Sequence, residues 1–334
     1  MTAEAVRWGF VGAGFIARRA LAPAVHAATG AVLQAAAARD TDRAAALQPA
    51  GAAYGSYDEL LADPEVDAVY LSLANDQHKP WSIAALRAGK HVLCEKPLAL
   101  SAAEVDEMAA AAQAADRLLV EASWSRWHPR VRAAVEVLAS GRLGPVRHVS
   151  AGFTFAGRLD GNYRLEPARG GGALYDVGCY AVSAAQWAFA PQPVTSVVAR
   201  QQLGPTGVDL VTEAVLEFPS GSAQVRAGIA EPPQQWLVIG CEGGEVELRD
   251  APYTSWVDDE TTLLVSDGTT TQRDRFPATD AYRVMVEEVS AAIRGDEGWV
   301  LPLTESRATA AVLDACFVSA RADSAAVHVT ATGT

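Results

Sequence analysis

Short apolar runs alternate with segments of helical spacing along the first third of the chain. The runs that predict buried strands are "VRWGFVG", "AVLQAAAA", "DAVYLSLAN", "HVLCEK" and "LLVEASW". Between them, "FIARRALAPAVHAA" and "SAAEVDEMAAAAQAADR" have helical periodicity, and the second opens with a Ser-x-x-Glu capping box. Strands that alternate with helices of about ten to fifteen residues predict a parallel, doubly wound sheet with right-handed crossovers.

The pattern changes after about residue 122. Segments such as "PVTSVVARQQL", "DLVTEAVLEFPSGSAQVRAGI" and "QWLVIGCEGGEVELR" are β-rich and separated by turn signals, which predicts mostly antiparallel connections. A helix, "HPRVRAAVEVLASG", precedes this region, and "AYRVMVEEVSAAIRG" and "TESRATAAVLDACFVSARA" follow it as helices. We therefore predict an α/β protein with one domain over residues 1–122. A second α/β domain, with a large, mostly antiparallel open sheet, covers residues 123–334, and its last helix is able to pack back on the first domain.

The composition argues against several classes of function. The chain carries 27 basic and 40 acidic residues, and a net charge of -13 would repel a nucleic-acid backbone. No apolar stretch has the roughly 20 residues that span a bilayer, and the first residues lack the pattern of a signal peptide. The four cysteines show no CxxC spacing, which argues against a metal site or a disulfide framework and suits a reducing compartment. We predict a cytoplasmic protein without nucleic-acid, membrane or metal partners.

A glycine motif follows the first predicted strand. In "GFVGAGFIA", Gly12 and Gly14 precede Phe15 and Ile16, which open the first helix. The two glycines allow a tight turn and the close approach of a pyrophosphate. The helix N-terminus then offers free N–H groups to the phosphates. The spacing alone is also compatible with an ordinary tight turn, but the strand–helix–strand setting favours a dinucleotide.

The end of the second predicted strand indicates which dinucleotide binds. An acidic residue there would accept hydrogen bonds from the ribose of NAD, but the chain has Ala38 followed by Arg39. An arginine stacks on adenine and pairs with a 2′-phosphate, and Arg18 and Arg19 add positive charge nearby. We therefore predict NADP. NAD is the alternative, with Asp40 as the ribose ligand if the strand is shifted by two positions.

Glu95-Lys96-Pro97 ends another predicted strand, where a carboxylate, an ammonium and a rigid proline are unusual together. The carboxyl ends of parallel strands form the ligand-binding edge of such sheets, and a residue before proline has a restricted backbone. A lysine in a crevice can donate a proton or bond to a reacting oxygen, with Glu95 orienting or neutralising it. A solvated surface ion pair is the alternative interpretation.

A second cluster, "GGGALYDVGCYAV", covers residues 170–182. Three consecutive glycines allow close approach of the backbone to a ligand, and Asp176 and Tyr180 lie four apart on one face of the following helix. A tyrosine near an ammonium exchanges protons more readily, and carbonyl reduction by a nicotinamide needs a protein group for that exchange. The alternative is a tyrosine that only packs in a core helix.

Together these segments resemble the Gfo/Idh/MocA family of nicotinamide-dependent oxidoreductases. The matching pieces occur in family order over residues 7 to about 190, and they are "WGFVGAGFIA", "LANDQHKPWSIAALRAGKHVLCEKPLAL", "EASWSRWHPRV", "GRLGPVRHVSAGF" and "DGNYRLEPARGGGALYDVGCYAV". The resemblance implies an N-terminal Rossmann domain and a C-terminal α/β domain whose open sheet forms dimers. We therefore expect a homodimer or a homotetramer.

The resemblance also implies roles for individual residues. Lys96 would lie at the nicotinamide and the reacting oxygen, and Asp176 would be the active-site acid. Leu73, Asn75 and His78 would belong to the loop that contacts the cofactor, together with Glu95. Many family members have histidine where this chain has Tyr180. That tyrosine is typical of the branch with glucose–fructose oxidoreductase, dihydrodiol dehydrogenases and sugar 3-ketoreductases, and it makes an inositol dehydrogenase less consistent with the chain.

The expected reaction is reversible hydride transfer between C4 of the nicotinamide and a carbonyl or carbinol carbon of a sugar-like substrate. Tyr180 would exchange the proton, Lys96 would lower the pKa of Tyr180, and Asp176 would orient a neighbouring substrate hydroxyl. Candidates for the substrate pocket, each with a structural role as the alternative, are Trp124, Arg126 and Arg164.

Two other functions remain open at this point. The same residues would serve an aldose 1-dehydrogenase or a trans-dihydrodiol dehydrogenase, and a nucleotide-linked sugar would be bound if arginines such as Arg158 and Arg164 gather near the site. A cofactor-binding regulator without catalysis is the alternative from another class. It is disfavoured because Lys96, Asp176 and Tyr180 are all present.

Overall fold

The computed structural model describes residues 5–157, 159, 161–249, 252–254 and 260–329. The chain divides into two compact units. The first comprises Met1–Ala99, Ala103–Trp127 and Asp280–Ser306, and the second comprises Leu100–Ala102, His128–Thr279 and Arg307–Thr334. Residues 280–306, which follow the β-rich part of the sequence, therefore belong to the first unit.

The first unit contains a six-stranded parallel sheet with the strand order β3-β2-β1-β4-β5-β6. Its strands are almost entirely buried, which explains their unbroken apolar runs, because helices cover both faces of a parallel sheet. This confirms the predicted parallel sheet. The strands are β1 (Val6–Val11), β2 (Ala31–Ala37), β3 (Ala53–Tyr54), β4 (Ala68–Leu71), β5 (His91–Cys94) and β6 (Leu119–Glu121).

The helices of this unit follow the strands in alternation. The first one begins with a π-helical turn, Ala17–Leu21, before it continues as regular α-helix. The helix from the later segment caps its own N-terminus, since the Asp280 carboxylate accepts from the backbone N–H groups of Tyr282 and Arg283. The α-helices are α1 (Ala22–Ala27), α2 (Thr41–Ala45), α3 (Tyr57–Ala62), α4 (His78–Arg87), α5 (Ala102–Ala115) and α8 (Ala281–Arg294).

The second unit is built on a nine-stranded sheet with the order β14-β13-β12-β11-β7-β10-β9-β8-β15. Every described pairing in it is antiparallel except that of β7 with β10, which confirms the mostly antiparallel prediction. The strands are β7 (Val146–Ala156), β8 (Ser196–Leu203), β9 (Asp209–Phe218), β10 (Gly221–Gly228), β11 (Ala230–Cys241), β12 (Gly244–Arg249), β13 (Thr261–Ser266), β14 (Thr271–Phe276) and β15 (Val327–His328).

One face of the nine-stranded sheet forms the core of the second unit. Because side chains alternate between the two faces of a strand, buried residues such as Val149, Leu216 and Val225 occur at every second position. Helix α7 packs on this face against β7 and β10. The other helices that contribute residues to the unit are α6 (Pro129–Ala139) and α9 (Leu303–Arg321), and α7 is Cys179–Phe189.

Three strands were not predicted, and each lacks an apolar alternation long enough to be seen. β3 and β15 contain only two residues each, and β14 is a polar strand at the edge of its sheet. The run "LLVEASW" was predicted as one strand, but β6 ends at Glu121 and a 3₁₀ turn follows at Trp124–Trp127. In the described part of the chain, no helix combines the length and the apolar character needed to cross a membrane.

Candidate active site

The glycine motif lies at the carboxyl ends of β1, β2 and β4. The Gly12 N–H donates to Ala37 O (2.9 Å), and the Ser72 N–H donates to Val11 O (3.0 Å). Gly12 has φ +99°, and a Cβ there would lie 2.6 Å from Ser72 O. Only glycine fits this position, because a side chain would be strained and would also collide with backbone. Phe15, which is largely exposed, and Ile16 open the helix directly after the loop.

These features fit a dinucleotide. A side-chain-free loop before a helix N-terminus leaves space and N–H groups for a pyrophosphate. Gly14 also faces Ser72, since a Cβ on Gly14 would lie 3.4 Å from Ser72 Oγ. The loop therefore passes close to Ser72 at both glycines. The residues that would bind the pyrophosphate are therefore Gly12, Gly14 and the first residues of the helix.

The end of β2 lies where the sequence predicted it. Ala38 is buried next to the last residue of the strand, and Arg39 is exposed. The Asp40 carboxylate accepts from the Asp42 N–H (3.0 Å) as the N-cap of α2, so it already has a structural function. Sequence reasoning missed Arg43, whose Nη2 donates to Ala13 O in the glycine loop (2.8 Å). Its place in the short helix that begins two residues after Arg39 is the signal that would have found it.

Lys96 follows β5 in a turn whose other charge is buried. The Glu95 carboxylate accepts from Tyr70 Oη (2.6 Å), and the Glu95 N–H donates to Leu71 O (3.0 Å). Burial raises the pKa of Glu95, and the Lys96 ammonium opposes that rise. The Lys96–Pro97 peptide bond is cis, and Lys96 itself is partly exposed. Glu95 is therefore part of the interior and not one half of a solvated surface pair.

The predicted cofactor loop follows β4. Asn75 is buried and begins a 3₁₀ turn. His78 is fully buried, with Nδ1 2.8 Å from Pro97 O and Nε2 3.3 Å from Leu73 O. Burial lowers the pKa of His78. The imidazole thus connects the Leu73 loop to the Lys96–Pro97 turn, and its contacts are with backbone carbonyls.

Two of the predicted substrate residues are engaged inside the first unit. The Trp124 ring is stacked on Tyr282 with centroids 4.6 Å apart. Arg126 is nearly buried, and its Nη1 pairs with Glu305 Oε2 at 2.6 Å. These contacts give both side chains a packing function, and a role at the substrate stays a prediction.

In the second unit, Asp176 lies in a π-helical turn, Leu174–Gly178, that leads directly into α7. π-Helical turns are rare and frequent at functional sites. The turn is anchored by Asp209, whose Oδ2 accepts from the Leu174 N–H (2.8 Å) and from Thr212 Oγ1 (2.6 Å). Gly172 has φ +113°, and a Cβ there would lie 1.9 Å from Asp209 Oδ1, so the glycine run is needed for this approach.

Arg164 and Asp176 form an ion pair, with Arg164 Nε 2.6 Å from Asp176 Oδ2. The guanidinium also lies over the Tyr163 ring, 4.9 Å from its centroid. Asp176 is almost buried, so the arginine compensates a carboxylate that water does not solvate. Arg158 lies outside the described residues.

Tyr180 follows on the same helical segment and is 8% exposed. Its ring lies 5.9 Å from that of Phe153, which in turn lies 6.4 Å from Phe155. The side chain is thus mostly buried beside the Phe153 ring, with a small exposed part. The structure brings Arg164, Asp176 and Tyr180 to one helix start, while the glycine loop, Arg39, Leu73, Asn75, His78, Glu95 and Lys96 belong to the first unit.

Residue usage offers a signal for Lys96 that sequence reasoning missed. Of the 27 basic residues only three are lysines, Lys79, Lys90 and Lys96, and the other 24 are arginines. An ammonium titrates and a guanidinium does not, so a scarce lysine in a turn at the ligand-binding edge of the sheet is a candidate for proton chemistry. Within the described ranges, no group of three or more histidine, cysteine, aspartate or glutamate side chains is arranged to bind a metal ion.

Comparison with known proteins gives matches over both units. Residues 6–123 match the family model described as "Oxidoreductase family, NAD-binding Rossmann fold", and residues 131–247 match the "GFO/IDH/MocA C-terminal domain". A D-xylose 1-dehydrogenase (NADP(+)) of Haloferax volcanii is 35% identical over 325 residues, which cover 95% of this chain and 98% of that protein. The trans-1,2-dihydrobenzene-1,2-diol dehydrogenase of Mus musculus is 38% identical over 231 residues, covering 65% of this chain and 66% of that protein.

A solved structure matches as well. KijD10, a 3-ketoreductase from Actinomadura kijaniata in complex with NADP and TDP-benzene, has a TM-score of 0.87 and 27% sequence identity, over 94% of this chain and 98% of that chain. These matches confirm the resemblance and the fold predicted from the sequence. The chain therefore belongs to the Gfo/Idh/MocA family of NAD(P)-binding oxidoreductases.

Proposed function

We propose that this protein transfers a hydride reversibly between a nicotinamide and a carbonyl or carbinol carbon of a sugar or sugar-like substrate. The observation that carries the proposal is the Glu95–Lys96–Pro97 turn, which is fixed at the carboxyl edge of a dinucleotide-binding sheet by the bond from Tyr70 to Glu95. Enzymes of one family share such machinery, and the relatives named above act on hydroxyl or keto groups.

NADP is the proposed cofactor, and its nicotinamide supplies or accepts the hydride. Arg39 is exposed at the end of β2, and Arg43 lies against the glycine loop, so two guanidinium groups are available for a 2′-phosphate. Ala38 brings no acid to that position, and Asp40 is occupied as a helix cap. NAD is the alternative cofactor.

Tyr180 is the proposed proton donor and acceptor, with Lys96 as the cation that favours its phenolate and stabilises a developing alkoxide. Support comes from the solved KijD10 structures, which include a lysine mutant and a tyrosine mutant. The two mutated positions lie as far apart along KijD10 as Lys96 and Tyr180 lie along this chain.

Asp176 is the proposed group that orients a substrate hydroxyl next to the reacting carbon. Its pairing with Arg164 favours the carboxylate form, which accepts a hydrogen bond from a hydroxyl. The aromatic rings of Phe153 and Phe155 beside Tyr180 suit a flat or apolar ring face of the substrate. Oxidation of an aldose at C1 or of a trans-dihydrodiol is therefore the second candidate, which the names of two relatives favour.

The nine-stranded sheet has a second face that supports a dimer. The side chains on this face include Arg200, Glu213, Arg226 and Trp236, which line a groove of about 450 Å³. We propose a homodimer through it, with a homotetramer as the alternative, and a cytoplasmic location.

Two measurements test the function. Fluorescence titration with NADPH and NADH should give micromolar binding of NADPH and weaker binding of NADH. The reverse order would make NAD the cofactor. A panel of aldoses, dihydrodiols and keto-sugars, assayed with both cofactors in both directions, should then give turnover in one class. Binding without turnover in any class would favour the regulator, and no binding of either cofactor would contradict the oxidoreductase.

A further inference from the structure

Glu121 is a buried carboxylate that the proposed reaction does not use. It is the last residue of β6, and it is 4% exposed. Its Oε1 accepts from the Leu98 N–H at 3.0 Å, two residues after Lys96. A hydrogen bond therefore connects the end of β6 to the turn that carries the lysine.

The hydrogen bond from the Leu98 N–H does not by itself explain why this position has a carboxylate. Glutamine would accept the same bond without the free-energy cost of a buried charge. Burial raises the pKa of Glu121, while the Ser306 hydroxyl, the Leu98 N–H, the Lys96 ammonium and the Arg126 guanidinium oppose that rise. Arg126 has its own carboxylate partner, Glu305.

The charged groups around Glu121 indicate which cation its carboxylate interacts with. Glu95 and Lys96 lie in the adjoining turn, Arg126 follows in the 3₁₀ turn after β6, and the buried Cys94 thiol ends β5. The Lys96 ammonium also contributes to the lowered pKa of His78. Two buried carboxylates, Glu95 and Glu121, thus border the turn that carries Lys96, while Arg126 pairs with Glu305.

We infer that Glu121 is a positioning residue of the proposed oxidoreductase site: its carboxylate fixes the backbone after Lys96 and, together with Glu95, supplies negative charge that balances the Lys96 ammonium. The inference rests on the proposed function. A cationic lysine is what a phenolate or a developing alkoxide needs, so the carboxylates supply the charge balance that makes Lys96 useful there.

The scarcity of lysine makes a direct test possible. An amine reagent such as acetic anhydride modifies only the unprotonated amine, and the chain has only three lysine side chains. Lys79 pairs with Glu104, and Lys90 donates to the carbonyls of Asp63 and Val66. Peptide mass spectrometry of the full-length protein, labelled briefly at a series of pH values, therefore reports the titration of Lys96 with Lys79 and Lys90 as internal references.

The Glu121→Gln variant removes the charge and keeps the acceptor for Leu98. We expect the labelling midpoint of Lys96 to move to lower pH, so that its labelling rate near pH 8 rises about threefold, equivalent to about half a pKa unit. Lys79 and Lys90 should label as in the wild type. Glu59→Gln, which removes an exposed carboxylate on α3, is the matched control and should leave all three midpoints unchanged. Glu121→Asp retains the charge and should restore the Lys96 midpoint.

Turnover provides the second readout. With a substrate from the panel, the basic limb of the pH–rate profile of Glu121→Gln should move to lower pH, together with the labelling midpoint. An unchanged Lys96 midpoint in Glu121→Gln would overturn the inference, whatever the turnover. A shifted midpoint in a protein that turns over no substrate would support the effect of Glu121 on Lys96 and contradict the proposed function, so the two failures are distinguishable.

Discussion

At the scale of single residues, buried carboxylates distinguish this candidate site from its surroundings. Glu95, Glu121 and Asp209 each accept a hydrogen bond from a named donor, namely Tyr70 Oη, the Leu98 N–H and the Leu174 N–H. A buried carboxylate is costly unless it is bonded in this way, so each one fixes the segment that provides its donor. The bonds from Leu98 and Leu174 fix the segments next to Lys96 and Asp176, and the bond from Tyr70 holds Glu95 itself beside Lys96.

Substitution of Tyr180 tests the assignment of the proton. Tyr180→Phe removes only the hydroxyl, and turnover should fall about 10²-fold or more, since a positioned acid/base contributes that much. The affinity for NADPH should stay within twofold of the wild type. Steady-state kinetics and fluorescence titration give the two numbers.

Tyr57→Phe, on helix α3 of the first unit, is the control for loss of a phenol hydroxyl and should keep wild-type turnover. Near-normal turnover of Tyr180→Phe would transfer the acid/base role to Lys96.

Substitution of the arginines tests the choice of cofactor. Arg39→Ala and Arg43→Ala should each raise the Kd for NADPH about tenfold or more, because one charge-assisted bond to the 2′-phosphate contributes about 1.5 to 3 kcal/mol. The Kd for NADH, which lacks that phosphate, should change much less. Titration of both cofactors into both variants measures the difference.

Arg87→Ala, an exposed arginine at the end of α4, is the control and should leave both affinities unchanged. Equal losses for NADPH and NADH would show that the arginines do not recognise the 2′-phosphate.

At the scale of elements, irregular helix starts carry the candidate chemistry. The helix after the glycine loop and the helix of Asp176 each begin with a π-helical turn, Ala17–Leu21 and Leu174–Gly178. The second of these turns depends on a strand far away in sequence, because Asp209 opens β9 and accepts from the Leu174 N–H. The start of that helix is therefore coupled to the ionisation of one carboxyl group.

The raised pKa of Asp209 predicts that the stability of the folded protein depends on pH. Burial raises its pKa from the ordinary value of 3.8 to about 6, so the folded protein binds this proton more tightly than the unfolded chain. The stabilising contribution of the carboxyl group is full below about pH 4 and is lost as the pH rises through about 6. The melting temperature of Asp209→Asn minus that of the wild type should therefore increase between pH 4.5 and pH 7.5, as thermal unfolding by circular dichroism would measure.

Asp267, an exposed carboxylate, is the control, because its pKa is shifted in the opposite direction to that of Asp209. Bonds from the Thr270 N–H and neighbouring donors lower the pKa of Asp267, so its contribution is present at neutral pH and lost in acid. The same difference for Asp267→Asn should be nearly flat over that range, because the carboxyl group is ionised in both states there, and should rise only as the pH falls below about 4. A flat difference for Asp209→Asn would contradict the raised pKa of Asp209.

At the scale of the whole molecule, the second face of the nine-stranded sheet is the proposed contact between copies. Trp236 lies across Gly152, where a Cβ would come within 2.1 Å of the ring, and its Nε1 donates to Ser150 Oγ (2.9 Å). Arg226 pairs with Glu213 and Glu231 on the same sheet. Such a mixture of an aromatic side chain and balanced charges suits a two-fold, self-complementary interface.

The mass of the protein in solution tests the dimer. Light scattering after size exclusion should give twice the chain mass of 35.0 kDa. Val198→Arg, which adds a charge on the proposed interface, should give the monomer mass because an unpaired buried charge is costly.

Val318→Arg, at another exposed valine, is the control and should remain a dimer. A wild-type monomer would contradict the proposal.

The elements and the family could be predicted from the order of residues alone. Apolar periodicity is local, so the alternating strands and helices, the glycine loop after β1 and the segment "AGKHVLCEKPLA" were all recognisable from neighbouring residues. The exceptions were strands too short or too polar to show a period, such as β3 and β14.

The contacts between distant side chains, in contrast, are visible only in the folded chain. Glu121 and Leu98 are 23 residues apart, Asp209 and Leu174 are 35 apart, and Arg43 and Ala13 are 30 apart. These contacts arise because strand order brings distant segments to one edge of a sheet, and no local period encodes that order. For the same reason burial, which sets the pKa of Glu95, Glu121 and Asp209, became visible only in the folded chain.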